Sequence, residues 1–382
     1  MPGQALAGGL LAALALVAGL GLALTTDVPP LRPDELASIG SLGPWPPPAV
    51  RDASNRVSGR PEAAALGEAL FHSTRLSTVG GLRCASCHEP WRHLTDGRAR
   101  ALGAEPGARN TPSLLNVRLQ HWFGWDGGND SLWSQSIRPM LDGREMRSDA
   151  AHVAQALRDD ETLKRLYALA FGHAPPADDE TALVDGGKAL AAYQETLTSG
   201  RTPFDAFREA LARGNADAVG RYPVAAQRGL RLFIGSGRCV DCHAGPNFSD
   251  GEFHRSTIAS KLHDGTPDGG RALGVEKLLA SPYARSGRFD DEIRAAPRPA
   301  SQPGEAGAFR TPGLREVSGT PPYMHDGSIA NLCEALQPHA ALEGRPVPLL
   351  TLAERRDLVA FLRTLSVEER AVLTDEEAMA CR

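Results

Sequence analysis

Two five-residue stretches, CASCH (Cys84, Cys87, His88) and CVDCH (Cys239, Cys242, His243), constrain this chain more than anything else in it. C-x-x-C-H is the pattern of covalent c-type haem attachment. Two thiols three residues apart can each bond a haem vinyl group, and the adjacent histidine then lies under the iron as its proximal ligand. A zinc site or a thiol redox pair uses the same cysteine spacing. Two such pairs 155 residues apart, each followed by His, favour haem over either. Two covalently bound c-type haems imply two units, each folded around its own ring.

The rest of the chain agrees with a two-domain globular body. At 382 residues, with 42% hydrophobic and 23% charged side chains, it can bury two ordinary cores. A formal charge of -5 with scattered Lys and Arg gives no basic patch for nucleic acid, so a nucleic-acid partner is not expected. Residues 5–24, ALAGGLLAALALVAGLGLAL, are uncharged and close to the roughly 20 residues that span a bilayer. Residues 1–27 therefore read as a signal peptide or an N-terminal anchor, which predicts export to the periplasm and membrane contact through that segment alone. Residues 28–58 are Pro-rich and read as an extended lead-in.

An internal repeat organises the remainder. ALGEALF precedes the first haem motif and AQRGLRLF the second, each with a Gly and then Leu-Phe. A second correspondence runs at a constant offset of 200: Thr111-Pro112 with Thr311-Pro312, Leu114 with Leu314, Val117 with Val317, Asp126-Gly127 with Asp326-Gly327, and Leu132 with Leu332. Continued, that register pairs Pro139 with His339. The predicted fold is mainly α: two cytochrome c-like haem domains related by duplication, with long irregular loops. The first domain is placed at 59–215, the second at 216–366 and a tail at 367–382, with the boundary near 214–222. Helical spacing is read at 61–71, 131–138, 149–170, 180–198, 203–213, 224–233, 328–337 and 351–364, and no period-2 strand stands out. Residues 254–308, rich in Gly, Pro, Arg and Asp, read as an irregular excursion. Cys333 and Cys381 are left over. They form a disulfide or remain free, which sequence spacing does not decide.

The ordered series LGEALFHSTRLS, CASCH, TDG, RNTPSLLNV, GWDGGNDSLWSQSIRPM, EM, GLRLF, CVDCH, FRTPGLREV and TPPYMHDGS resembles the bacterial di-haem cytochrome c peroxidase and MauG superfamily over about residues 60–365. GWDGGNDSLWSQ is most similar to the MauG- and MbnH-like side. The resemblance implies a peroxide-reacting first haem with Glu145 as the distal acid/base and Gln135 beside it. Heterolysis of H2O2 needs a proton moved from the near to the far oxygen, which a carboxylate can do. It implies that Trp125 lies between the haems as an electron relay. It also implies a calcium ion held by Asn110 and by backbone oxygens of Thr320 and Pro322, all hard donors.

Two departures carry information. Reductively activated peroxidases of this superfamily block the first haem with a loop histidine, but the equivalent GRARALGAEPGARN contains none. His93, the nearest, is too close to its own haem motif to be an obvious cap. With Pro139 as the distal wall, the first haem is expected to be five-coordinate at rest. At the second haem, the position fourteen residues beyond His325, where relatives place Met or Tyr, is His339; Met324 is the fallback ligand. A His/His pair makes a haem low-spin and lower in potential than His/Met. The expected function is H2O2-dependent oxidation of a partner-protein side chain; the alternative is a cytochrome c peroxidase drawing electrons from a small cytochrome c. A plain electron carrier would need neither Glu145, Gln135 nor an open first haem.

Overall fold

The computed structural model describes residues 29–259, 261–262, 264–285, 287–292, 305–337, 341–342, 345–346, 349–367 and 381. The hydrophobic N-terminal run, the tail at 368–380 and His339 lie outside the described residues. Among those described, no helix is long and apolar enough to cross a membrane.

The chain is mainly helical. In order come α1 (Pro33–Ser41), α2 (Pro61–His72), α3 (Cys84–Cys87), α4 (Leu132–Leu141), α5 (Ala150–Asp159), α6 (Glu161–Phe171), α7 (Asp179–Gln194), α8 (Pro203–Ala212), α9 (Ala216–Gly220), α10 (Val224–Ile234), α11 (Arg271–Ala280), α12 (Leu332–Ala335) and α13 (Leu352–Arg363). Two short antiparallel ribbons accompany them, β1 (Phe253–Arg255) with β2 (Ala308–Arg310) and β3 (Ala341–Leu342) with β4 (Arg345–Pro346).

Several expectations need correction. The helix expected over 149–170 is two helices, because the Asp160 side chain accepts from the backbone N–H groups of Thr162 and Leu163 and starts α6 anew. The helix expected over 328–337 shrinks to α12, capped by Asn331. The lead-in is not extended throughout. Pro33 at the first turn and Asp34 and Glu35 behind it start α1, whose Ile39 is buried. Nor is 254–308 simply irregular. Gly274, Val275 and Leu278 form the buried stripe of α11, and β1 pairs with β2 across the base of the excursion.

There are two hydrophobic clusters. The first uses residues 57–192, including Leu66, Phe71, Trp133, Ile137, Leu157 and Leu190. The second gathers Phe204, Phe233, Phe248, Phe361, Val317 and Leu358. The expected boundary at 215 does not follow this division: Phe204 and Phe207 of α8, and Ile39 and Leu42 from the lead-in, belong to the second cluster. Cys333 and Cys381 are disulfide-bonded with Cα atoms 5.2 Å apart, so the open choice between bridge and free thiols resolves to the bridge.

The glycine shared by ALGEALF and AQRGLRLF has a packing reason. A Cβ at Gly67 of α2 would collide with the carbonyl oxygen of Ala189 in α7, and one at Gly229 of α10 with that of Asp357 in α13. Each haem motif is thus preceded by a helix that crosses the last helix of its own cluster at backbone contact. Gly229→Ala is expected to lower unfolding stability by about 1–3 kcal/mol through overpacking, measured by denaturant midpoint at unchanged slope; an unchanged midpoint would contradict that contact.

Candidate di-haem site

Both C-x-x-C-H motifs follow such a helix. His88 Nδ1 donates to the Leu94 carbonyl at 3.0 Å, and His243 Nδ1 donates to the Phe248 carbonyl at 3.0 Å. The same bond at both places fixes the tautomer whose Nε2 carries the lone pair, the usual outer support of an iron-ligating histidine. Burial pushes the His88 pKa down, which keeps its imidazole neutral.

The motifs fit haem better than the alternatives. All four motif cysteines are unpaired thiols. Burial pushes Cys84 and Cys239 up to about 12 and Cys87 up to about 11, the opposite of the lowered thiol that redox C-x-x-C pairs require. Zinc needs its ligands to converge on one point. Among the described residues the convergent group is Cys242, Asp250 and His254, and neither motif brings both its cysteines and its histidine together. Two thiols spread along a ring edge and a histidine beneath its centre fit the haem instead.

The second motif opens into a cavity of about 790 Å³, bordered by Cys239, Cys242 and His243 and walled by Leu314, Leu332, Leu358 and Leu362. That volume suits a cofactor. Arg310 borders it, buried, with its guanidinium donating to the carbonyls of Thr311 at 3.2 Å and Gly124 at 3.4 Å. Burial alone pushes Arg310 down to about 10. Among the described residues its guanidinium meets only neutral oxygens, and a buried cation of this kind calls for an anion such as a haem propionate would supply. Nothing in the sequence set Arg310 apart from any other arginine of an FRTP stretch.

The same cavity reaches Trp125, Asn110, Thr320, Pro322 and Met324. Trp125 Nε1 donates to the Asn110 carbonyl at 2.9 Å, the Asn110 N–H donates to the His325 carbonyl at 2.9 Å, and the Trp125 carbonyl accepts from Arg310 N–H at 2.9 Å. The indole meets the His325 ring edge-on, with centroids 6.5 Å apart, and His325 stacks on Phe309 at 3.5 Å. Burial pushes His325 down to about 4, so it is a neutral ring at neutral pH. Asp126, next to Trp125, pairs with Arg109 at 2.6 Å and Lys277 at 3.0 Å, and Arg109 forks onto Asp268 at 2.7 and 2.6 Å. This network, which no sequence spacing announced, ties the WDG turn to the loop before α11.

Glu145 and Pro139 come together beside the first motif. The Met146 N–H donates to the Pro139 carbonyl at 3.1 Å, folding the segment after α4 back on that helix. Glu145 Oε1 accepts from Arg138 Nη2 at 2.6 Å. Its charge is close enough to act on Cys84, Cys87 and His88. Gln135 is held by its neighbours: Ser134 Oγ donates to Asn129 Oδ1 at 3.0 Å, and Asn129 Nδ2 donates to Gln135 Oε1 at 2.8 Å. That leaves the Gln135 amide N–H groups as the presented end. His93 lies 3.6 Å from Glu316 and against Gly319, facing the second half of the chain.

Residues 61–213 match the family model for di-haem cytochrome c peroxidase. The chain is 35% identical to the methylamine utilization protein MauG of Methylorubrum extorquens, over 82% of this chain and 80% of that one. The chain belongs to the di-haem cytochrome c peroxidase family. This di-haem peroxidase is also 32% identical to cytochrome-c peroxidase IdrP1 of Denitromonas iodatirespirans, over 89% of this chain and 90% of the other. It superposes on a MauG-like protein associated with microbial copper homeostasis with a TM-score of 0.62 at 25% identity, covering 85% of this chain and 96% of that one. It is accordingly a di-haem oxidoreductase that uses peroxide, of a family with two c-type haems.

Proposed function

We propose that this peroxidase is exported and uses H2O2 to oxidise a side chain, Trp or Tyr, on a partner protein. The carrying observation is the segment 97–110. It contains no histidine, and it is sewn to the acid/base region by Ala104 N–H to the Glu145 carbonyl and Glu105 N–H to the Arg144 carbonyl, both 2.9 Å. Where an activation histidine would be carried, this chain packs backbone against Glu145.

When bound, the haems supply the iron at which peroxide is cleaved and the means to store the oxidising equivalents. The side chains handle protons and distance. Glu145, oriented by the fixed cation Arg138, takes a proton from the near oxygen of peroxide and returns it to the leaving one. The Gln135 amide donates a hydrogen bond that orients the substrate. Pro139, without a side-chain ligand atom, would leave the first iron free to meet peroxide. Trp125, bordering the cavity at the second motif and edge-on to His325, is assigned the relay. His339 is assigned as second ligand of the second iron, and Asn110, Thr320 and Pro322, which all border that cavity, as a calcium site.

The two halves are read as a duplication. The offset of 200 persists in the backbone: Asn116 and Glu316 are both left-handed at φ 62, Gly127 and Gly327 at φ 64, and bridges pair Phe123 with Asn129 and Tyr323 with Ile329. The cytochrome c peroxidase reading is kept as the second, favoured by the near-complete span of the IdrP1 match. Steady-state assays separate the two. Peroxide-driven oxidation of a polypeptide without rapid turnover of a reduced small cytochrome c supports the first reading, and rapid turnover of the cytochrome overturns it. His339→Ala is expected to convert the low-spin ferric signal to high-spin; an unchanged spectrum overturns that ligand.

A further inference from the structure

Trp91, 75% exposed, stands three residues after the first proximal histidine. Every other Trp, Tyr and Phe among the described residues is buried or half-buried. The loop that carries it is closed by its own hydrogen bonds. Glu89 N–H donates to the Thr95 carbonyl at 3.2 Å, the Arg92 and Leu94 N–H groups both donate to the Glu89 carbonyl at 3.0 Å, and Arg92 pairs with Glu89 at 3.0 Å. His93 at φ 50 and Leu94 at φ 59 are consecutive left-handed residues, a costly turn for two non-glycines. That turn delivers the Leu94 carbonyl to His88 Nδ1 and leaves the Trp91 ring at the tip. One short loop thus supports the iron ligand at its base and shows an oxidisable ring at its apex.

The surroundings are basic in an acidic protein. Arg83, Arg92, Arg98 and Arg100 are exposed around the motif, while of the two acidic residues between 83 and 100 Glu89 is paired with Arg92 and Asp96 is buried. The stretch carries about +2 by these counts against -5 for the chain. We infer that the Trp91 tip is where an acidic partner-protein surface docks and passes its electrons inward, the arginines steering and the indole anchoring and relaying. This rests on the partner-oxidising reading above. For a tyrosine partner, each phenol loses one electron through the indole and one proton to water. Two electrons and two protons convert one H2O2 into two water molecules, and the two phenoxyls join as dityrosine.

The test uses the full-length holoenzyme with H2O2 and three donors: a Glu/Tyr copolymer, a Lys/Tyr copolymer and the small neutral phenol guaiacol. Wild type is expected to form dityrosine from the acidic copolymer about tenfold faster than from the basic one at low salt, with the preference lost at high salt. Trp91→Phe is expected to lower kcat on the acidic copolymer about tenfold with guaiacol turnover unchanged, and Arg98→Glu with Arg100→Glu to raise its KM about tenfold at unchanged kcat. An active wild type whose Trp91→Phe variant keeps its copolymer turnover overturns this inference alone. Wild type that oxidises guaiacol but neither copolymer overturns the partner-oxidising reading and this inference with it. Dimerisation abolished by Trp91→Phe would assign the tip to a second copy of the chain and overturn the acidic partner.

Discussion

Glu145→Gln is expected to lower peroxide-dependent turnover by about 100- to 10,000-fold, the range for loss of a positioned general acid/base, with haem content and resting spectrum unchanged. Gln is nearly isosteric and can still accept from Arg138, so the loop between α4 and α5 keeps its shape. What disappears is the ability to take a proton and give it back. Arg138→Leu is expected to do less. It removes the guanidinium 2.6 Å from the carboxylate and frees its rotamer, but leaves the exchangeable proton. If Glu145→Gln retained more than a tenth of wild-type turnover, the proton would have to move through another group, and Gln135, lacking any titratable atom, is no substitute.

The second large effect concerns folding. Arg315 is fully buried and forks onto Asp205 at 2.9 Å through both terminal nitrogens, while its Nε donates to the Pro246 carbonyl at 2.6 Å. Its guanidinium also lies 3.6 Å from the centre of the Trp45 ring, which joins the lead-in to the second cluster. Asp205→Ala leaves that cation buried without the carboxylate it is hydrogen-bonded to, and a loss of about 3–5 kcal/mol is expected in denaturant unfolding. Replacing both partners, Asp205→Leu with Arg315→Met, is expected to recover most of the loss. Burial by itself would raise the Asp205 pKa; the Arg315 guanidinium and Thr202 overcome it and hold the group below its usual value. The pair's stabilisation is therefore present above the unfolded aspartate pKa of about 3.9 and is lost as pH falls through the folded value. Equal stability of the single and double variants would show that the pair contributes nothing specific.

The di-haem family was legible in the sequence because C-x-x-C-H is a local pattern, five residues that need no distant contact to be recognised. The offset of 200 was read from pairs such as Asp126-Gly127 and Asp326-Gly327, and both of those glycines have φ 64. What could not be read is what depends on contact at a distance. Arg138 faces Glu145 only because the chain folds back after α4. Arg310 looks like any arginine until burial strips it of an anionic partner. The helix α11 was hidden by the Gly- and Pro-rich residues flanking it, and α1 by the prolines around it, although Pro33 begins that helix rather than breaking it.

The proposal that the first haem is open and ready without reduction assigns Pro139 and Glu145 to its peroxide side and rests on segment 97–110, which brings no histidine and packs its backbone against Glu145. The direct measurement is to add H2O2 to the fully oxidised holoprotein, with no reductant present, and follow the visible spectrum. One high-spin and one low-spin ferric haem are expected at rest, followed by prompt consumption of peroxide and a long-lived spectral change. No reaction until one electron has been supplied would contradict the claim.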